Sequence, residues 1–183
     1  MGSLLQNKLT WEHAEAMIKY WGGPFSIKGI MSAADAIRAA EIGASAIIIS
    51  NHGGRQCDNL PAPIEMLAEI RAAVGDSLEI IVDGGITRVS DIVKALALNA
   101  NACPIGKAYV AGLGSGGLQG AERCLEILRA EVEREMALIG CASISDLTPD
   151  LIRDTQVPVP PPDTQATMLS KSRIRLSFVD QLT

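Results

Sequence analysis

Aromatic residues are scarce in this chain: two Trp, two Tyr and two Phe among 183 residues, 3% of the total. The interior must therefore be filled by Ala, Ile and Leu, which suits close packing of helices on a sheet. Cysteine is also sparse. The four thiols, at 57, 103, 124 and 141, show neither CxxC nor CxH spacing, so neither a metal centre nor a disulfide framework is expected. Reduced thiols of this kind point to the cytoplasm. There is no excess of positive charge: the net charge is −5 and no basic stripe occurs, which argues against nucleic acid as a partner. No apolar run approaches the roughly 18 residues of a membrane span, so no transmembrane segment is expected. The first residues, Met1-Gly2-Ser3-Leu4-Leu5-Gln6, offer neither a charged start nor an apolar core for a signal peptide.

What remains is ordinary for a globular chain, with 48% hydrophobic and 20% charged residues and the length of one domain. The most informative stretch is Ile47 to Asp58, Ile-Ile-Ile-Ser-Asn-His-Gly-Gly-Arg-Gln-Cys-Asp. Three β-branched residues in a row suit a fully buried parallel strand. The run then opens into a polar, glycine-rich loop carrying an imidazole and a guanidinium. His52 can exchange a proton near neutral pH. Arg55 can grip a carboxylate with two parallel hydrogen bonds.

Around this stretch the pattern alternates. Thr10 is placed to cap a helix reaching about Tyr20, closed by Gly22-Gly23-Pro24. Phe25 to Ile30 predicts a strand with Lys28 near its end. Ser32 and Asp35 form a capping-box pattern for a helix stopping at Gly43. The strand at 46–50 follows, then a helix opened by Pro63 and closed by Gly75. Leu78 to Val82 predicts the third strand, ending in Asp83-Gly84-Gly85. Ser90 is expected to cap a helix that Asn99 ends in a left-handed turn. Ala102 to Ile105 predicts a fourth strand, ending in Gly106-Lys107. A glycine-rich turn from Gly112 to Gly120 should lead into a helix from Ala121 to Leu138. Its Gly-x-Gly-x-x-Gly spacing reads as that turn and not as a dinucleotide site, and His13 reads as an exposed helix residue. From 155 to 183 a proline-rich segment suggests an extended tail.

Strand–helix alternation four times over predicts a parallel α/β sheet with right-handed crossovers. Lys28, the 50–55 loop, the 83–88 loop and Gly106-Lys107 all fall at strand C-termini. They converge on one face, as at the mouth of a (β/α) barrel. Glycine amides beside a cation would cradle a phosphate there.

The segments Ile27-Lys28-Gly29-Ile30, Ser50-Asn51-His52-Gly53-Gly54-Arg55-Gln56-x-Asp58, Asp83-Gly84-Gly85-Ile86, Lys94-Ala95-Leu96-Ala97-Leu98 and Ile105-Gly106 resemble those of FMN-dependent α-hydroxy acid oxidases and dehydrogenases, such as glycolate oxidase, lactate oxidase and flavocytochrome-type lactate dehydrogenases. The resemblance covers about residues 3 to 148. It implies the C-terminal half of a TIM (β/α)8 barrel over 1–154, with FMN as cofactor and a small (S)-2-hydroxy acid as substrate. It implies His52 as the base and Arg55 as the carboxylate clamp. Lys28 would lie against the flavin edge and Ser50 would contact the flavin. Asp83, Gly84, Gly85, Ile86, Thr87 and Arg88 would hold the ribityl phosphate with Gly106 and Lys107. The family usually has Arg-Arg-Gly where Thr87-Arg88-Val89 stands and Gly-Arg where Gly106-Lys107 stands. Pro104 within a strand and Asn99-Ala100-Asn101 are further departures, each expected to weaken the phosphate side. A half barrel leaves open edges, so a second copy or a complementary N-terminal half is the expected partner. The alternative function is a non-catalytic half-barrel module that pairs through those edges.

Overall fold

The computed structural model describes residues 8–57 and 59–152. The 155–183 tail and Asp58 lie outside the described residues. Helices alternate with three parallel strands in the order α1 (Trp11–Trp21), β1 (Ser26–Ile30), α2 (Ala33–Glu41), β2 (Ala46–Ile49), α3 (Pro63–Val74), β3 (Glu79–Val82), α4 (Val89–Ala97) and α5 (Lys107–Leu138). The strands lie side by side in chain order, β1-β2-β3. Register aligns Lys28 with Ile48 and Ile48 with Ile81 across the sheet.

Period-two alternation gives the sheet two different faces. Ile47, Ile49, Ile80 and Val82 are fully buried beneath the helices, packed with Ala36, Ala39, Leu67, Ile70 and Ala95. The small alanines let the helices sit close to the isoleucine ridge, which is how the core closes almost without aromatic rings. On the opposite face Ile48 and Ile81 are only half-buried and Lys28 is exposed. A second cluster joins α4 to the end of α5 through Val89, Val93, Ala97, Met136, Cys141 and Leu147.

Several helix ends follow local chemistry. The Ser32 hydroxyl accepts the Asp35 N–H at 3.1 Å, and Gly22 closes α1 with φ 67°. Asn99 takes the left-handed turn after α4, φ 67°. The start of α4 differs from expectation. Arg88 and not Ser90 is the cap residue, and the Asp91 carboxylate accepts the N–H groups of Thr87 (3.0 Å) and Arg88 (2.9 Å). The acid at the third helical position reaches back to the open amides, which a serine at the second position does not.

The fourth strand is also corrected. Four parallel βα units were expected, but among the described residues Ala102 makes only a single parallel bridge to Ile81. Asn101 N–H donates to Ile80 O at 2.7 Å, Val82 N–H donates to Ala102 O at 3.0 Å, and the pairing then stops. Pro104 lacks an N–H and restricts the residue before it, so the ladder does not continue. Asn101, read as a weakening departure, instead braces this edge: its Oδ1 accepts Ile80 N–H at 2.8 Å and an Arg71 N–H at 2.7 Å. The break at Gly112 to Gly120 is narrower than expected. Helix α5 begins at Lys107, and only Gly116 and Gly117 leave helical geometry. Gly112 and Gly120 pack backbone to backbone, where a Cβ on Gly112 would lie 2.5 Å from Gly120 O.

Candidate active site

The strand C-termini open into one cleft of about 340 Å3 lined by Lys28, His52, Gly53, Asp83, Gly84, Gly85, Ile86, Thr87, Pro104, Ile105, Gly106 and Lys107. The crossovers place every strand end on the same side, so residues up to 79 positions apart meet there because the sheet is parallel. Ser50 lies beneath the cleft, 4% exposed. Arg55 and Arg88 are exposed and do not line it. Pro104 and Ile105, noted in the sequence but not proposed as site residues, form part of its wall. Their position between a strand and Gly106-Lys107 was the available signal.

A single ammonium ties the three strand ends together. Lys28 Nζ donates to Ser50 Oγ at 2.5 Å and pairs with the Asp83 carboxylate. Ser50 Oγ also accepts the His52 N–H at 3.2 Å. The hydroxyl of β2's last turn thus connects the cation of β1 to the backbone of the histidine. Both oxygen lone pairs of Ser50 are engaged, which leaves its own hydrogen free to donate.

The loop bearing His52 is unusual. His52, Gly53 and Gly54 have φ values of 57°, 66° and 72°, three left-handed residues in succession. Glycine accepts this freely, whereas a histidine in that region costs about 1–2 kcal/mol. The turn is closed by Gly54 N–H to Asn51 O at 3.1 Å and Arg55 N–H to His52 O at 3.4 Å. Asn51 Oδ1 accepts the Gly53 N–H at 3.0 Å, and its Nδ2 donates to Pro61 O at 3.2 Å. Asn51 was not among the expected site residues. An Asn directly after a strand and two residues before a glycine is the local signal for such a turn.

The opposite wall supplies donors. Gly84 and Gly85 have φ of 90° and 77°, and Lys107 begins α5. The first amides of a helix have no partner within it and carry partial positive charge. Thr87 and Arg88 differ, since Asp91 already takes their N–H groups. Burial acts to raise the Asp91 carboxyl, but those hydrogen bonds outweigh it and hold the group below the usual carboxylate range. Cys103 lies close behind this wall, and burial pushes its thiol up to about 11.

The fold and site define a parallel α/β protein whose strand C-termini open into a lysine- and amide-lined cleft suited to an anionic ligand. Residues 1–154 match the family of FMN-dependent dehydrogenases. The chain is 47% identical to the pre-mycofactocin synthase of Mycobacterium tuberculosis over 156 residues, 81% of this chain and 39% of that protein. It is 41% identical to the cytochrome-type L-lactate dehydrogenase of Saccharomyces cerevisiae, over 83% of this chain and 27% of that protein. Among solved structures, an (S)-mandelate dehydrogenase superposes with TM-score 0.80 at 39% identity, covering 84% of this chain and 40% of that one. A mandelate oxidase with benzoyl-formic acid superposes with TM-score 0.74 at 43% identity, covering 76% and 42%. The chain belongs to the FMN-dependent dehydrogenase family, whose cofactor is FMN, and its sheet is part of a TIM-type barrel. It spans 39% or less of the length of these curated relatives.

The cleft fits that cofactor chemically. A flavin mononucleotide is an anion with a polar chain, and the left-handed Gly84-Gly85 backbone, the α5 N-terminus and two lysines face one space.

Proposed function

We propose that this chain contributes the base, the carboxylate anchor and the cofactor-facing charge for FMN-dependent oxidation of a small (S)-2-hydroxy acid of the lactate or glycolate type. The observation that supports this most is the cleft. Nine of the residues proposed from sequence (Lys28, His52, Asp83, Gly84, Gly85, Ile86, Thr87, Gly106 and Lys107) line a single space.

Conversion of a 2-hydroxy acid to a 2-oxo acid removes two electrons and two protons. FMN, when bound, would supply the acceptor for both electrons and for one of the two protons. His52 takes one proton from the substrate's hydroxyl-bearing centre as the general base. Arg55, on the same turn, holds the carboxylate by paired hydrogen bonds. Lys28 neutralises negative charge at the cofactor edge, while Ser50 donates its hydrogen into the same region. Asp83 to Arg88, with Gly106 and Lys107, hold the phosphate side. Thr87 and Arg88 can contribute side chains there, their amides being engaged by Asp91. The cytoplasmic setting expected from the cysteine pattern belongs to the same proposal.

A second reading has its own observation. Among the described residues β1 pairs with β2 alone, and Ile48 and Ile81 on one sheet face are left only half-buried. Such a sheet suits pairing with a second copy or with a chain supplying the remainder of the barrel. Flavin fluorescence titration decides between the readings, run with and without a polypeptide carrying the rest of a family barrel. Quenching together with lactate or glycolate turnover that is lost in His52→Ala supports the oxidase. Association seen by sedimentation, with no flavin binding under either condition, supports the pairing module.

A further inference from the structure

We infer that Asn51 is the positioning residue that holds the His52 loop in its left-handed form and fixes it against the cofactor-facing walls. The inference rests on the oxidase reading for its consequence, but its physical content is independent of it.

Three observations carry it. First, the loop needs holding: His52, Gly53 and Gly54 are all left-handed, and His52 has a Cβ that opposes this conformation. Second, Asn51 is bonded at both ends of its amide. Oδ1 takes the Gly53 N–H at 3.0 Å, inside the turn, and Nδ2 gives a hydrogen to Pro61 O at 3.2 Å, outside it. Because one neighbour is a donor and the other an acceptor, only this orientation of the amide satisfies both. Third, Asn51 sits at the boundary with the next loop: a Cβ built on Gly84 would lie 3.5 Å from Asn51 Oδ1 and 3.3 Å from Pro63 Cγ. One side chain therefore bonds the turn that carries His52 and the segment entering α3, and fills the space that a side chain on Gly84 would need.

Ser50 and Asn51 divide the work. Ser50 Oγ accepts the amide of His52, and Asn51 Oδ1 accepts the amide of Gly53. Ser50 is buried and also tied to Lys28, so it reports charge at the cleft floor as well as loop shape. Among the described residues the Asn51 side chain makes no hydrogen bond to a charged group. Its contribution is geometric: it sets the direction in which the His52 imidazole and the Arg55 guanidinium leave the backbone.

The test uses Asn51→Ala, which removes both bonds, and Asn51→Asp, which keeps an acceptor for Gly53 but loses the donor to Pro61. The chain has two histidines, so the imidazole resonances of His52 can be followed against His13 on α1 as an internal reference. Asn51→Ala should speed Gly53 amide exchange by about fivefold, as expected for loss of one hydrogen bond of ordinary net strength. It should move the His52 resonances and leave His13 and the Ile49 amide unchanged. Asn51→Asp should keep Gly53 protected and still move His52, and it carries the test if the alanine variant does not fold. The inference is overturned if Gly53 exchange and His52 resonances match the parent in both variants. It is equally overturned if Ile49 accelerates in step with Gly53, because Asn51 then acts only through global stability. Absence of hydroxy acid turnover in the parent, with flavin and the rest of the barrel supplied, sinks the catalytic reading while leaving these loop measurements standing.

Discussion

Arg71 is the sharpest test of how this fold braces its strand entries, at the end of the sheet opposite the cleft. Its side chain is 15% exposed and makes five N–H···O contacts onto four acceptors. Two go to Asn99 O at 3.1 and 2.7 Å, one to Gly75 O at 2.7 Å, one to Leu78 O at 3.3 Å and one to Asn101 Oδ1 at 2.7 Å. These acceptors sit at the end of α3, the entry to β3 and the turn after α4, so a single guanidinium fastens three connections. Each bond has a net worth of about 1 kcal/mol, and water can replace the guanidinium at the exposed Gly75 and Asn99 carbonyls. Arg71→Ala should therefore cost about 2–4 kcal/mol, roughly 5–12 °C in Tm for a domain of this size. Arg71→Lys keeps the charge but has no planar fork, and should lose about half as much. The assay is urea unfolding read with native-state amide exchange at Ile80, whose N–H is held by Asn101. A loss below about 1 kcal/mol for Arg71→Ala, or an Arg71→Lys variant equal to the parent, would refute the reasoning.

Three further outcomes follow from the same geometry. Asp91 is held below the usual carboxylate range in the folded chain, so its contribution is present above the unfolded value near about pH 4 and is lost as pH falls through the lower folded value. Asp91→Asn should thus unfold with a flatter acid limb in pH-dependent chemical denaturation, and a limb identical to the parent's would contradict the capping role. Gly84→Ala forces a Cβ onto a residue at φ 90° with Pro63 Cγ 3.3 Å away, and should destabilise by about 1–3 kcal/mol in thermal unfolding while weakening flavin binding. Maleimide at pH 8, followed by peptide mass mapping, should modify exposed Cys57 well before Cys103, whose thiol is pushed up to about 11; equal rates would show that the wall around Cys103 opens.

The alternation of strand and helix, the apolar ridge Ile47 to Ile49 and the polar loop after it were legible in the chain because they depend on local chemistry. Period and turn residues place elements, and a parallel sheet then sends every strand's C-terminus to one side. Lys28, His52, Asp83 and Gly106 could be assigned to one face on that basis alone. The cap of α4, the two-residue break at Gly116-Gly117 and the single bridge at Ala102 were not legible. Each depends on which of several competing partners is near enough, and nearness is a tertiary quantity. Arg55 illustrates the same limit, since its motif identifies it with a carboxylate clamp while the fold places it outside the cleft wall.

What the sequence by itself determined is the kind of chemistry: an imidazole, a guanidinium, two lysines and glycine-rich turns at strand ends, in segments specific to one family. Only the tertiary structure decided how those groups are held. It tied Lys28 to Asp83 and Ser50, turned His52 left-handed, and set Asn51 and Arg71 as braces. The reason is physical. A side chain's chemistry belongs to its own covalent structure, whereas its orientation depends on hydrogen-bond partners brought from strands and loops far away in the chain.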